Sequence, residues 1–144
     1  MGFKLLPDGP MRCARSMRRI AVIEDEEMVR LNLLDLLEFE GYEARGAADG
    51  PEGIRMVADY LPDAVLCDLC MPGKDGYEVL AALKSNPATR RIPFLFLTAR
   101  AEPADVRKGM DLGADDYLAK PFCRQELMQA IEGRLARVPS GGCS

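Results

Sequence analysis

The sequence contains no histidine. Without an imidazole it has neither a Ser–His–Asp triad nor a zinc-protease helix motif. The chain cannot itself carry a phosphohistidine, and acid–base work near neutral pH falls to carboxylates, lysine, cysteine or tyrosine. No apolar run approaches the roughly 20 residues of a membrane-spanning helix. The opening MGFKLLPDGPMRCARSMRR lacks the apolar core of a secretory signal. Base is not in excess: 19 Lys and Arg against 23 Asp and Glu give a net charge of −4. That balance argues against a phosphate-neutralising face for nucleic acid. No P-loop G-x-x-x-x-G-K and no dinucleotide G-x-G-x-x-G occurs. Five cysteines, an odd count without an export signal, read as thiols of a reducing cytosol, so a cytoplasmic location is expected.

What is present is an ordinary globular mixture of 144 residues, 48% apolar and 29% charged. A chain of this length supports one domain without disulfides or a structural metal. Residues 1–17 hold no sustained periodicity and read as an N-terminal extension. Residues 18–138 read as the domain, and 139–144 have the composition of a flexible tail.

Short apolar runs alternate with helical patterns. Ile20–Ile23, Ala64–Cys67, Phe94–Leu97 and, more weakly, Tyr117–Ala119 predict strands covered on both faces. Tyr42–Gly46 alternates uncharged with charged residues and suits a half-exposed edge strand. Asp49 can cap a helix opened by Pro51, with Ile54, Val57, Ala58 and Leu61 on one face. Leu127, Ile131, Leu135 and Val138 form another stripe. Helices also fit about 26–39, 76–85 and 103–112, although Gly109 weakens the last. A β–α alternation repeated five times predicts an α/β fold, a doubly wound parallel sheet with helices on both faces. In such a sheet the chemistry belongs at the carboxyl ends of the strands.

Those ends carry Glu24-Asp25-Glu26 after the first strand, Asp68 after the third, Thr98 after the fourth and Lys120 after the fifth. Each has an ordinary alternative: Asp25 as a helix cap, Glu24 and Glu26 as solvated charges, Asp68 as a turn residue, Lys120 at the surface. Their conjunction at the ends of separate strands favours a site. Glu24, Asp25 and Asp68 together carry −3; Lys120 returns +1, and one divalent cation would bring the sum to zero. Carboxylate oxygens suit Mg²⁺ or Mn²⁺.

Asp68-Leu-Cys-Met-Pro-Gly-Lys-Asp-Gly76 resembles the phosphoacceptor signature of response-regulator receiver domains of two-component systems. Val22-Ile-Glu-Asp-Glu26 resembles their acidic pair. Leu97-Thr-Ala99 and Gly113-Ala-Asp-Asp-Tyr-Leu-Ala-Lys-Pro-Phe122 resemble their switch and lysine segments. The resemblance implies a five-stranded flavodoxin-like sheet of order 2-1-3-4-5. It implies that Asp68 takes a phosphoryl group from the phosphohistidine of a sensor histidine kinase or phosphotransfer protein. Glu24, Asp25, Asp68 and the backbone carbonyl of Cys70 would hold Mg²⁺, and Lys120 would pair with Asp68 and then with the phosphoryl oxygens. Thr98 would turn toward the phosphoryl group, with Tyr117 swinging inward behind it. That would remodel the face of the fourth helix, fifth strand and fifth helix, where a target protein or a second copy would dock. The protein is then expected to be a switch that catalyses only its own phosphoryl transfer and slow dephosphorylation. The family usually has a cis Lys–Pro bond, here Lys120–Pro121.

Cys70 and Arg100, two residues beyond Asp68 and Thr98, are expected to tune phosphoryl lifetime. Cys123 stands where serine or aspartate would complete a capping box with Glu126. Cys67-Asp-Leu-Cys70 matches C-x-x-C, but no histidine or second pair completes a zinc site. Two other functions compete with this one. A haloacid-dehalogenase-like phosphatase wants D-x-D-x-T at the first strand end, where Glu24-Asp-Glu-Glu27 stands. A flavodoxin-like binder would meet an acidic loop that repels a flavin phosphate. The chain ends soon after the last predicted helix, so it reads as a stand-alone regulator or a piece cut from a larger protein.

Overall fold

The computed structural model describes residues 18–99 and 102–137. The expectations for the extension, the tail, Val138 and Arg100 fall outside them. The elements run β1 (Arg19–Ile23), α1 (Glu27–Phe39), β2 (Glu43–Ala47), α2 (Gly50–Tyr60), β3 (Ala64–Asp68), α3 (Gly76–Lys84), β4 (Phe94–Thr98), α4 (Pro103–Leu112), β5 (Asp116–Ala119) and α5 (Arg124–Arg137). All strand pairings are parallel, and the sheet order is β2-β1-β3-β4-β5.

The two-residue period of a strand sends alternate side chains to two cores. Ala21, Ile23, Val65, Cys67, Phe94 and Phe96 pack with Val57 of α2 and with Val79, Leu80 and Leu83 of α3. Ile20, Val22, Leu66, Leu95 and Leu97 pack with Leu33 and Leu37 of α1 and with Leu127, Ile131 and Leu135 of α5. Both faces are covered, which is why β3 and β4 show no polar alternation. Each such buried aliphatic or aromatic side chain contributes about 1.5–3 kcal/mol. Cutting the fully buried Leu66 back to alanine would cost about 2–5 kcal/mol.

The edges behave differently. β2 alternates exposed with half-buried residues up to Ala47, as its sequence pattern predicts. β5 departs from the expectation of a strand covered on both faces, because Asp116, Tyr117 and Leu118 are half-buried and Ala119 is exposed. It is an edge strand, and among the described residues no further strand pairs with its outer side.

Helix starts follow local chemistry. Asp49 accepts the Glu52 N–H at 2.8 Å with Pro51 in the first turn. Of the expected stripe, Val57 is buried and Ile54 is half-buried against the core, whereas Ala58 and Leu61 are exposed; Gly50, Gly53 and Tyr60 complete the buried face of α2. The helix stops at Tyr60, and Leu61 turns out in the left-handed region at φ 49°. Asp75 and Glu78 form a complete capping box on α3. On α5 the Glu126 carboxylate accepts the Cys123 N–H at 2.9 Å, which is half of such a box. The residue before α1 is Glu26, and no side chain caps that helix. Asp25 is therefore not a helix cap.

From β1 the chain steps to β2 at one edge and then returns across β1 to β3, so strand order reverses between β1 and β3. A doubly wound sheet opens its ligand crevice at the carboxyl ends of such a pair. Glu24, Asp25 and Asp68 stand there.

Candidate functional site

Glu24 directly follows β1 and is 1% exposed. Its N–H donates to the Ala47 carbonyl at 3.0 Å, which continues the β1–β2 ladder one residue past the strand. One carboxylate oxygen accepts from the Lys120 ammonium at 3.1 Å, and the other accepts the Glu26 N–H at 3.2 Å. Asp68 ends β3 and is also buried. Its carboxylate accepts the backbone N–H of Cys70 and lies 3.7 Å from the Lys120 ammonium. Oxygens of Glu24, Asp25 and Asp68 all lie within 4.8 Å of one another. At that spacing two full charges repel by at least about 3 kcal/mol at an effective dielectric of 20.

The repulsion registers in the titration of the site. Burial first, then the charge of Glu24, pushes the Asp68 carboxyl up to about 6, against the pull of Lys120 and the Cys70 N–H. Burial alone would lower the Lys120 ammonium, but the Glu24 hydrogen bond and the charges of Asp68 and Glu24 outweigh it and raise the pKa. Lys120 thus stays charged through the physiological range. Three converging carboxylates offer hard oxygen donors of the kind that take a small divalent cation, so the donor set fits Mg²⁺.

Thr98 is fully buried at the end of β4, paired in register with Ala119, and its carbonyl accepts the Lys120 N–H at 2.7 Å. The Lys120–Pro121 bond is cis. Cys70 is exposed, whereas Cys67 is buried and its thiol is pushed up by burial. The pair therefore faces two different environments, unlike a redox couple sharing one surface.

Tyr117 is half-buried and packs against the core. Its hydroxyl donates to the Asp105 carbonyl at 2.5 Å and lies 3.1 Å from the Tyr77 hydroxyl, and Tyr77 also reaches that carbonyl at 3.0 Å. The ring rests on Phe96, with centroids 5.1 Å apart. A Cβ on Gly109 would come within 2.5 Å of it. The glycine that weakens α4 by propensity is thus the notch that admits Tyr117. Tyr77 and Arg30 lie outside the quoted motifs: Tyr77 follows the Asp75-Gly76 that ends the phosphoacceptor-like segment, and Arg30 lies one helical turn into α1.

The chain matches the response regulator receiver domain over residues 20–132. It is 40% identical over 119 residues to the phosphate regulon transcriptional regulatory protein PhoB of Rhizobium meliloti, covering 83% of this chain and 52% of that protein. It is 42% identical over 119 residues to the response regulator MprA of a Mycobacterium species, covering 83% and 51%. The chain spans about half the length of the curated relatives it matches. Among solved structures, a response regulator receiver domain protein from Clostridium thermocellum superposes with a TM-score of 0.79 at 31% identity, over 84% of this chain and 96% of that one. The receiver domain of the sensor histidine kinase PA1611 from Pseudomonas aeruginosa, solved with magnesium in its active-site cleft, gives 0.78 at 30% identity, over 84% and 99%. The doubly wound sheet and the acidic cluster at its strand-order reversal define a receiver domain. This chain belongs to the response regulator receiver domain family.

Proposed function

We propose that Asp68 is the phosphoacceptor, and that phosphorylation there switches the surface this chain shows to a partner protein. The observation that carries the reading is the buried Asp68 carboxylate, raised to about 6, facing Glu24, Asp25 and Lys120 at the strand-order reversal. An oxygen of Asp68 attacks the phosphorus of a kinase or phosphotransfer-protein phosphohistidine. The new O–P bond forms as the P–N bond breaks, and the electron pair returns to the imidazole. Glu24, Asp25, Asp68 and the Cys70 carbonyl would hold Mg²⁺, which when bound supplies positive charge to the phosphoryl oxygens. Lys120, already placed by Glu24, adds a second positive charge to the same oxygens.

Thr98 answers the new phosphoryl oxygens, and Tyr117 couples Thr98 to the face of α4, β5 and α5. A target protein or a second copy reads that face. Residues 18–138 form the switch, flanked by 1–17 and 139–144, and the chain works in the cytoplasm. No described helix is long and apolar enough to cross a membrane.

Incubation with acetyl phosphate and Mg²⁺, followed by intact-mass measurement, should add one phosphoryl group. Asp68→Asn should add none, and chelation should block the gain in the parent; Mn²⁺ in place of Mg²⁺ should restore it. A parent chain that gains no phosphoryl group with either metal, while folded, overturns the reading.

A further inference from the structure

Arg30 points from α1 toward the acidic turn, although none of the motifs contains it. Its guanidinium donates to the backbone carbonyl of Glu24 at 2.9 Å. With that bond all polar groups of Glu24 are engaged: the N–H on Ala47, the carbonyl on Arg30, one carboxylate oxygen on Lys120 and the other on the Glu26 N–H. The Glu24 carbonyl belongs to the peptide plane that leads into Asp25, so the bond fixes the plane from which Asp25 projects. No side-chain cap on α1 does this instead.

A second observation comes from the neighbouring strand. A Cβ on Gly46 of β2 would lie 3.1 Å from both Cγ and Cδ of Arg30, and 3.1 Å from Leu34. The stem of Arg30 therefore packs closely over Gly46, in a gap that an added methyl would force Arg30 and Leu34 to widen by a few tenths of an ångström. Gly46 pairs with Val22, two residues before Glu24. The gap and the carbonyl contact together aim one half-buried cation at one peptide group.

We propose that Arg30, seated over Gly46, is a positioning residue that holds the Glu24–Asp25 peptide so that the three site carboxylates converge on a divalent cation. It touches neither the cation nor the phosphoryl group. The proposal rests on the receiver reading of the site. Groups that orient metal-binding residues typically cost about 10-fold or more in metal affinity when removed.

The test uses the full chain and Mg²⁺ alone, by titration calorimetry, beside acetyl phosphate labelling at varied Mg²⁺. Arg30→Met keeps the stem and removes the donor. It should weaken Mg²⁺ binding about 10-fold and slow labelling at low Mg²⁺, with the rate recovering at saturating Mg²⁺. Arg30→Lys, which can still donate to the carbonyl, should recover part of the affinity. Gly46→Ala should weaken Mg²⁺ binding in the same direction by displacing the stem. Metal-free thermal unfolding identifies variants that remain folded, and Arg30→Lys and Gly46→Ala stand in if Arg30→Met does not. Parental Mg²⁺ affinity in a folded Arg30→Met or Gly46→Ala overturns the proposal. A parent that binds Mg²⁺ but takes no phosphoryl group defeats the receiver reading instead, and leaves the calorimetric comparison standing.

Discussion

The ammonium of Lys120 is hydrogen-bonded to Glu24 at 3.1 Å and stands 3.7 Å from Asp68. The cation of the site is thus anchored on one buried carboxylate and remains within reach of the other, the proposed phosphoacceptor. Removing Lys120 leaves Glu24, 1% exposed, as a buried carboxylate without its cation. Lys120→Met should destabilise the fold by about 2 kcal/mol, less than for a fully buried pair because the lysine is partly exposed. Denaturant unfolding of Lys120→Met, Glu24→Gln and the double variant checks this. The double variant should lose less than the sum of the two single losses, and strict additivity would count against the pairing.

Asp68 gives a pH dependence with a definite sign. Its carboxyl is raised from 3.8 to about 6 in the fold, mainly by burial and by Glu24. Between those values the folded chain binds a proton that the unfolded chain has released. Metal-free stability should therefore fall as pH rises through that window. By neutral pH the loss is of the order of 3 kcal/mol. Asp68→Asn should flatten the profile and melt above the parent at pH 7 without metal. Added Mg²⁺ should raise the parent's melting temperature more than the variant's. A flat parental profile across the window would falsify the electrostatic account.

Gly109→Ala should reverse the usual helix rule. In an exposed helix interior the change stabilises by about 1 kcal/mol. Here the added methyl would lie 2.5 Å from the Tyr117 ring. A net loss of about 1–2 kcal/mol is expected, as for other overpacked sites. Tyr117→Ala in the same chain should remove the penalty, and a stabilised single variant would mean that Tyr117 does not occupy the notch.

The phenol pair can be read optically, because Tyr117 is raised above its ordinary value by burial and then by the Tyr77 hydrogen bond. Tyr77→Phe removes the second cause and keeps the first. In an alkaline titration of tyrosinate absorbance, the step lost in Tyr117→Phe should move to lower pH in Tyr77→Phe. An unmoved step would show that the hydroxyls are not bonded in solution.

Much of this was legible in residue order. The apolar runs that end at Glu24, Asp68, Thr98 and Lys120 became strands with those side chains at one sheet edge, because strand alternation and crossover handedness leave few other arrangements. Asp49 and Pro51 set the start of α2 by contacts within one turn. Leu61 and Tyr60 show the limit. Spacing cannot tell which of two adjacent residues remains helical, and the left-handed turn at Leu61 hands the buried position to Tyr60.

The sequence by itself determined the local terms: which segments form strands, where helices begin, and that acids and one lysine stand at the strand ends. Tertiary structure decided the terms that depend on distance between remote residues. Lys120 prefers Glu24 across 96 residues of chain, Arg30 reaches a carbonyl past Gly46, and Tyr117 enters a notch at Gly109 to meet Tyr77. Coulomb attraction, hydrogen-bond reach and steric fit act over a few ångströms, and only the folded sheet brings these residues that close.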